Sequence, residues 1–234
     1  MWTATKRHSG YVRAGTVLAL VAVLAACSNS TQNHTSPTSP VPASVPASAL
    51  EGLLLSVGDI DAVMGTQGMV AHEPYTILAQ HSNLLPNKNC LGIWQIGDAA
   101  IYDEKSLTGF RGQDLRQPDT DTWDAMVVQA VVSYPAADAA KAFFSESADR
   151  WSKCTNHHVN MTVNNQPQPK LFFGNLTKTD TELSMPVTRG ENERSCQRVL
   201  SVVSNIIVDV AACNHDATDQ AATVAQKITD RVSH

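Results

Sequence analysis

The segment CQRVLSVVSNIIVDVAAC, Cys196 to Cys213, leaves few ways for this chain to fold. Val199, Val202, Val203, Ile206, Ile207, Val208 and Val210 are β-branched, and Ser204-Asn205 sits between the two apolar runs as a two-residue turn. Such a turn sets the register. Val203 faces Ile206 and, counting outward in alternation, Cys196 faces Cys213 on a non-hydrogen-bonded pair, where Cα atoms lie about 4.5 Å apart. That spacing is within disulfide reach. Arg198 and Asp209 fall on non-hydrogen-bonded rows of one face, a placement that favours a cross-strand ion pair over a ligand contact.

Elsewhere the apolar period is helical. Ala140, Phe143, Phe144, Ser147 and Trp151 form one stripe in a helix over 135–151, and Ala221, Val224, Ala225, Ile228 and Val232 form another over 216–232, with Asp216 and Asp219 as its capping pair. A shorter helix is expected from Val57 to Met64, ended by Gly65. Strands are expected at 126–134, 158–163, 171–173 and 181–187. Strands joined by short turns and outnumbering the helices predict an α+β fold: an antiparallel sheet with helices packed against it.

The remaining cysteines point to the N-terminus. Five occur, at 27, 90, 154, 196 and 213, and an odd count in an exported chain leaves one to be explained. Residues 1–26 carry Lys6, Arg7 and Arg13, no acidic residue, and an apolar stretch from Ala14 to Ala26. This is the layout of a signal peptide, too short for a span that needs about 20 residues. It ends in Leu24-Ala25-Ala26-Cys27, which looks like a bacterial lipobox, so Cys27 is the expected lipid attachment site. An ordinary cleavage site with a chance cysteine is the alternative. Acylation with two chains or more, palmitate-like in length, would hold the protein at the bilayer. Four cysteines then remain, with three possible connectivities. The hairpin register favours Cys196–Cys213 and hence Cys90–Cys154, two intramolecular disulfides.

Residues 27–49, rich in Ser, Thr, Pro, Asn and Ala, read as the lipidated cysteine and a tether. The 185 residues at 50–234 suffice for one domain. Without the signal peptide the formal charge is −8, which argues against nucleic acid as a partner.

Known catalytic signatures are missing. The chain has no G-x-S-x-G, no S-x-x-K and no H-E-x-x-H. Neighbouring His157 and His158 on a strand point to opposite faces, so no metal site is expected, and no cofactor. Asp119, Asp121 and Asp124 lack the glycine and distal glutamate of a calcium loop and read as a solvated turn. Trp94, Trp123 and Tyr102 are the candidates for lining an apolar ligand pocket, with core packing as the alternative for each.

Several residues together carry a resemblance: Leu53-Leu54-Leu55 leading to Gly65, Cys90-Leu91-Gly92, Trp151-x-x-Cys154, Cys196-x-Arg198, and Asn205 to Val210 before Cys213. From about 50 to 234 the chain resembles the PknH-type extracellular sensor domain, known from mycobacterial serine/threonine kinases and from stand-alone lipoproteins. The resemblance implies an antiparallel sheet flanked by helices, two disulfides and a cleft for an unidentified ligand. The chain contains no H-R-D loop, no D-F-G and no Gly-rich phosphate loop, so it is not expected to act as a kinase. The expectation is a non-catalytic ligand-binding or sensor module, lipid-anchored on the extracytoplasmic face of the cell membrane. Its partners would be the bilayer, through acylated Cys27, and a small-molecule or envelope ligand. The alternatives are an interaction subunit docking an envelope protein and a hydrolase with an unfamiliar active site.

Overall fold

A computed structural model describes residues 44–85, 87–163, 166–190 and 194–234. The expected signal peptide, Cys27 and the tether as far as residue 43 lie outside the described residues.

Both faces of strands β10 (Arg194–Val203) and β11 (Ile206–Asn214) are apolar, and the structure buries both. Ile206, Val208, Val210 and Ala212 pack into one core, and Ile207 and Ala211 into the other. A strand covered on both sides reads as a continuous apolar run. The register is the expected one, with Val203 opposite Ile206 and Cys196 opposite Cys213. Around this hairpin stand β1 (Val70–Ala71), β2 (Gly109–Gln117), β3 (Ala125–Ser133), β4 (His157–Val159), β7 (Leu171–Phe173), β8 (Thr177–Lys178) and β9 (Glu182–Arg189). They form a sheet ordered β1-β2-β3-β11-β10-β9-β7-β4, with β8 on β9 and every pairing antiparallel. The segments β5 (Thr162–Val163) and β6 (Gln166–Pro167) make a separate hairpin.

Helices cover both faces. On one lie α2 (Lys88–Trp94) and α3 (Ala137–Ser152), the Cys90–Cys154 disulfide tying α2 to the turn just after α3; on the other lie a 3₁₀ helix (Ala47–Leu53), α1 (Val57–Met64) and α4 (Gln220–Ser233). The second disulfide, Cys196–Cys213, has Cα atoms 4.0 Å apart. The α+β architecture with two disulfides is thus observed. In α3 the expected stripe is the buried face, Trp151 included. In α1, Ser56 and Asp59 form a capping box and Gly65 closes the helix at φ 66°.

Three expectations need correction. Residues expected in the tether are already packed on the domain: the Val45 N–H donates to Asn205 Oδ1, and Leu50 and Leu53 of the 3₁₀ helix are buried. The Pro/Ala/Ser composition of this stretch hides a single apolar turn. Helix α4 starts at Gln220, four residues later than expected: Gln220 Oε1 takes the Thr218 and Asp219 N–H groups ahead of it, and Gln197 Oε1 takes the Ala222 N–H in its first turn. Neither Asp216 nor Asp219 supplies a side-chain cap. The strand expected over 158–163 divides, β4 pairing with β7 and Thr162–Val163 turning away to β6. Finally, β2 and α2 carried no sequence signal that was read, and both border the site.

Candidate functional site

On the face shared with α2 and α3 the helices leave one end of the sheet uncovered. Here the antiparallel register lays side chains in rows. One row runs Arg116, Met126, Cys213, Cys196 and Val187 across β2, β3, β11, β10 and β9. The next, deeper row runs Asp114, Val128, Ala211 and Arg198. These rows floor a groove of about 290 Å³, with Trp94, Ile96, Tyr75 and Trp123 around it. That volume is at the small end of ligand sites, which span about 300–1,000 Å³.

Each wall has a local cause. Tyr75 lies flat over β2 because residue 112 is glycine: a Cβ there would come within 2.5 Å of the Tyr75 ring. Its hydroxyl donates to Asp114 Oδ1 at 3.1 Å. Burial, reinforced by the Asp114 charge, pushes the Tyr75 phenol well up from its ordinary value, so it stays a neutral donor. Trp94 ends α2, a short helix whose N-cap is Asn87. The helix is held to the sheet from below by Arg198. The Arg198 Nε donates to Ile93 O at 2.7 Å, Nη2 to Gly92 O at 3.1 Å and Nη1 to Val210 O at 2.7 Å. Its charge is met by Asp209 at 2.7 Å, both side chains being almost fully buried. The expected cross-strand ion pair is therefore present, and it also carries the C-terminal carbonyls of α2.

Trp94 and Trp123 both line the groove. Tyr102 does not; it is buried beneath, stacked on Phe143 with ring centroids 4.6 Å apart, and its hydroxyl donates to Asp209 Oδ2 at 2.6 Å. Burial, then the Asp209 charge, holds its phenol well above the ordinary range. Tyr102 supports the floor instead of facing the opening. Trp123 is itself mostly buried, covered by the Arg194 guanidinium 4.3 Å from its ring centroid. His157 and His158 are exposed on β4, and no cluster of metal-ligating side chains occurs among the described residues. Asp119, Asp121 and Asp124 are exposed, and Asp119 Oδ1 lies 2.7 Å from His72 Nε2.

The residues that sequence reading missed are Arg116, Asp114, Arg189 and Tyr75. They lie on three segments, Asp114 and Arg116 on β2, Arg189 on β9 and Tyr75 ahead of β2, and only the register brings them to one opening.

These features define a disulfide-linked α+β domain with an open groove on one face of its sheet. The chain belongs to the family described as the PknH-like extracellular domain, whose profile matches residues 45–231. It is 31% identical to the serine/threonine-protein kinase PknH of Mycobacterium bovis, over 99% of this chain and 39% of the kinase. It is 30% identical to PknH of Mycobacterium tuberculosis strain H37Rv, over 99% of this chain and 37% of the kinase. The chain thus spans less than two fifths of these relatives. The kinase PknJ of Mycobacterium tuberculosis is 29% identical over 51% of this chain. The crystal structure of the extracellular domain of PknH from Mycobacterium tuberculosis matches with a TM-score of 0.76 and 32% identity, covering 82% of this chain and 98% of that one.

Proposed function

We propose that the protein is a membrane-tethered, non-catalytic sensor module of the cell envelope that binds a ligand in the groove between α2 and the disulfide hairpin. The observation that carries this reading is the groove itself, where two tryptophans and an apolar floor meet a few fixed polar groups, the usual make-up of a small-molecule site. The lining is poor in catalytic groups. Among the described residues it offers one carboxylate, Asp114, already bonded to Tyr75, two cysteines locked in a disulfide, and no histidine or serine. A general base within reach of a nucleophile is what hydrolysis needs. The docking-subunit reading lacks an apolar patch to dock on: the large exposed apolar side chains among the described residues are Val70 and Ile77, at opposite ends of the segment beside β2.

The family supports an extracytoplasmic location, and the sequence Leu24 to Cys27 supports lipid anchoring. No helix among the described residues is long and apolar enough to cross a membrane. Native mass spectrometry of the protein purified from its own envelope tests the ligand reading: a retained molecule lost on unfolding supports it, and a bare mass in repeated preparations refutes it. Alkyne fatty-acid labelling should mark the wild type and not Cys27→Ala; equal labelling of both refutes the anchor.

A further inference from the structure

The mouth of the groove has a charge of its own. Arg116 and Arg189 line it, Arg194 is the register partner of Arg189, and the Arg194 guanidinium lies on Trp123, another lining residue. Against them the lining sets the Asp114 carboxylate, 3.7 Å from Arg116, while Arg198 is neutralised beneath by Asp209. Among the described residues Asp114 is the sole acidic partner of these three arginines within ion-pair distance. The buried Nε groups of Arg116 and Arg194 have no hydrogen-bond partner there either. Among the described residues this opening thus carries more positive than negative charge, on a chain whose formal charge is −5.

Guanidinium forks match the planar or trigonal oxygens of carboxylates and phosphates, and an unpaired buried N–H is costly until an acceptor arrives. The apolar floor runs from these arginines over the Cys196–Cys213 disulfide toward Trp94 and the α2 wall. We propose that the groove takes an anionic amphiphile: a carboxylate or phosphate head held by Arg116, Arg189 and Arg194, with an apolar body lying along the disulfide and the two tryptophans. The inference rests on the groove being the ligand site proposed above. An inorganic anion alone would leave the tryptophan walls unused, and a neutral lipid would leave Arg189 and Arg194 without an acidic partner among the described residues.

The compact unit 42–234 contains both cores and both disulfides, as an independently folding domain should, so it serves for the test. Its tryptophan fluorescence would be followed while dodecanoate, dodecyl phosphate, dodecanol, dodecyltrimethylammonium or inorganic phosphate is added below micelle-forming concentrations. The two anionic amphiphiles should saturate and bind at least about tenfold more tightly than dodecanol, with an affinity that falls as salt is added. Arg116→Gln/Arg189→Gln should lower the ratio of dodecanoate to dodecanol affinity by about tenfold or more, with the fold checked by circular dichroism. If that variant unfolds, Arg189→Glu alone should turn the preference toward dodecyltrimethylammonium.

Equal binding of dodecanol and dodecanoate overturns the anionic head, and equal binding of inorganic phosphate and dodecyl phosphate overturns the apolar body. If every probe fails while native mass spectrometry retains a neutral or cationic molecule, the ligand class falls and the groove reading stands. If neither experiment finds a bound molecule, both fall.

Discussion

Arg198→Met should be among the most destabilising single changes in this protein. The substitution keeps the aliphatic volume but leaves Asp209 as a buried carboxylate, and it strips the donors from the carbonyls of Gly92, Ile93 and Val210. Breaking one side of a buried pair costs about 3–5 kcal/mol. Each orphaned buried carbonyl adds about 1–3 kcal/mol before relaxation, and the terms are not additive. A loss of at least about 5 kcal/mol follows, or a fall of roughly 10–20 °C in the thermal midpoint at about 2–4 °C per kcal/mol for a domain of this size. Asp209→Leu should cost about 3–5 kcal/mol, since the guanidinium keeps its three carbonyls but loses its counter-charge. The double variant should then cost at least about 2 kcal/mol less than the sum of the singles. Tyr102→Phe extends the cycle: about 1.5–3 kcal/mol in the wild type, where the hydroxyl serves a charged acceptor, and under about 0.5 kcal/mol beside Asp209→Leu, where that acceptor is gone. Urea unfolding followed by circular dichroism, under oxidising conditions so that both disulfides stay closed, gives the midpoints and checks that m is unchanged. Strict additivity, or any charge-removing single variant costing less than about 1 kcal/mol, refutes the network.

Three further outcomes are expected. Peptide mapping without reductant should recover Cys90 linked to Cys154 and Cys196 linked to Cys213; replacing both cysteines of the first pair by serine should cost about 4 kcal/mol against about 3 kcal/mol for the second, because it closes the longer loop, 64 residues against 17. The reverse order of stabilities, seen in the unfolding midpoints, counts against this. Trp123→Ala should lower both retention of a co-purified ligand and stability, the latter by about 3 kcal/mol, since the ring is buried under Arg194 while it lines the groove; unchanged retention removes Trp123 from the site. Burial raises the Glu182 carboxyl above its ordinary value, with the Ser201 hydroxyl bond opposing. The folded state therefore holds that proton more tightly, and stability falls as pH rises from the unfolded carboxylate value through the folded one. Glu182→Gln should raise the thermal midpoint at pH 7 and leave it unchanged below about pH 4, and an equal effect at both pH values refutes the assignment.

Legibility in the sequence followed burial. The β10–β11 hairpin could be registered to the residue because both its faces are apolar and its turn is two residues long. Every residue of the stripe expected in α3 is likewise buried, with Ala148 added to it. The packing of Val45 on the domain was missed for the converse reason: its anchoring bonds run to the side chain of Asn205, 160 positions away, and composition cannot report a contact at that distance. Helix α4 begins later than expected because aspartates before a helix promise a cap, and here a first-turn donor, the Ala222 N–H, is taken instead by Gln197 Oε1 from β10, a partner distant in sequence.

Strand β2, Gly-Phe-Arg-Gly-Gln-Asp-Leu-Arg-Gln, failed to read as a strand for a reason that bears on the proposed site. Beyond Phe110 its face toward α2 and α3 carries Gly112, Asp114 and Arg116 where a core strand would carry apolar residues. Glycine admits Tyr75, and the two charges line the groove. The rule that fails is the apolar alternation of a half-buried strand, and it fails along the stretch that the helices leave uncovered. Departures of this kind are expected where a site has displaced core packing. The two tryptophans could be nominated from sequence because large aromatics are conspicuous wherever they stand. Arg116, Arg189 and Arg194 could not, because nothing in the one-dimensional order distinguishes them from surface arginines; their common opening exists only once β2, β9 and β10 are set in register through β3 and β11. The hairpin that was easiest to read is thus the element that gathers the residues hardest to read: Cys196–Cys213 ties β10, which carries Arg194 and pairs with the β9 of Arg189, to β11, which leads through β3 to the β2 of Arg116.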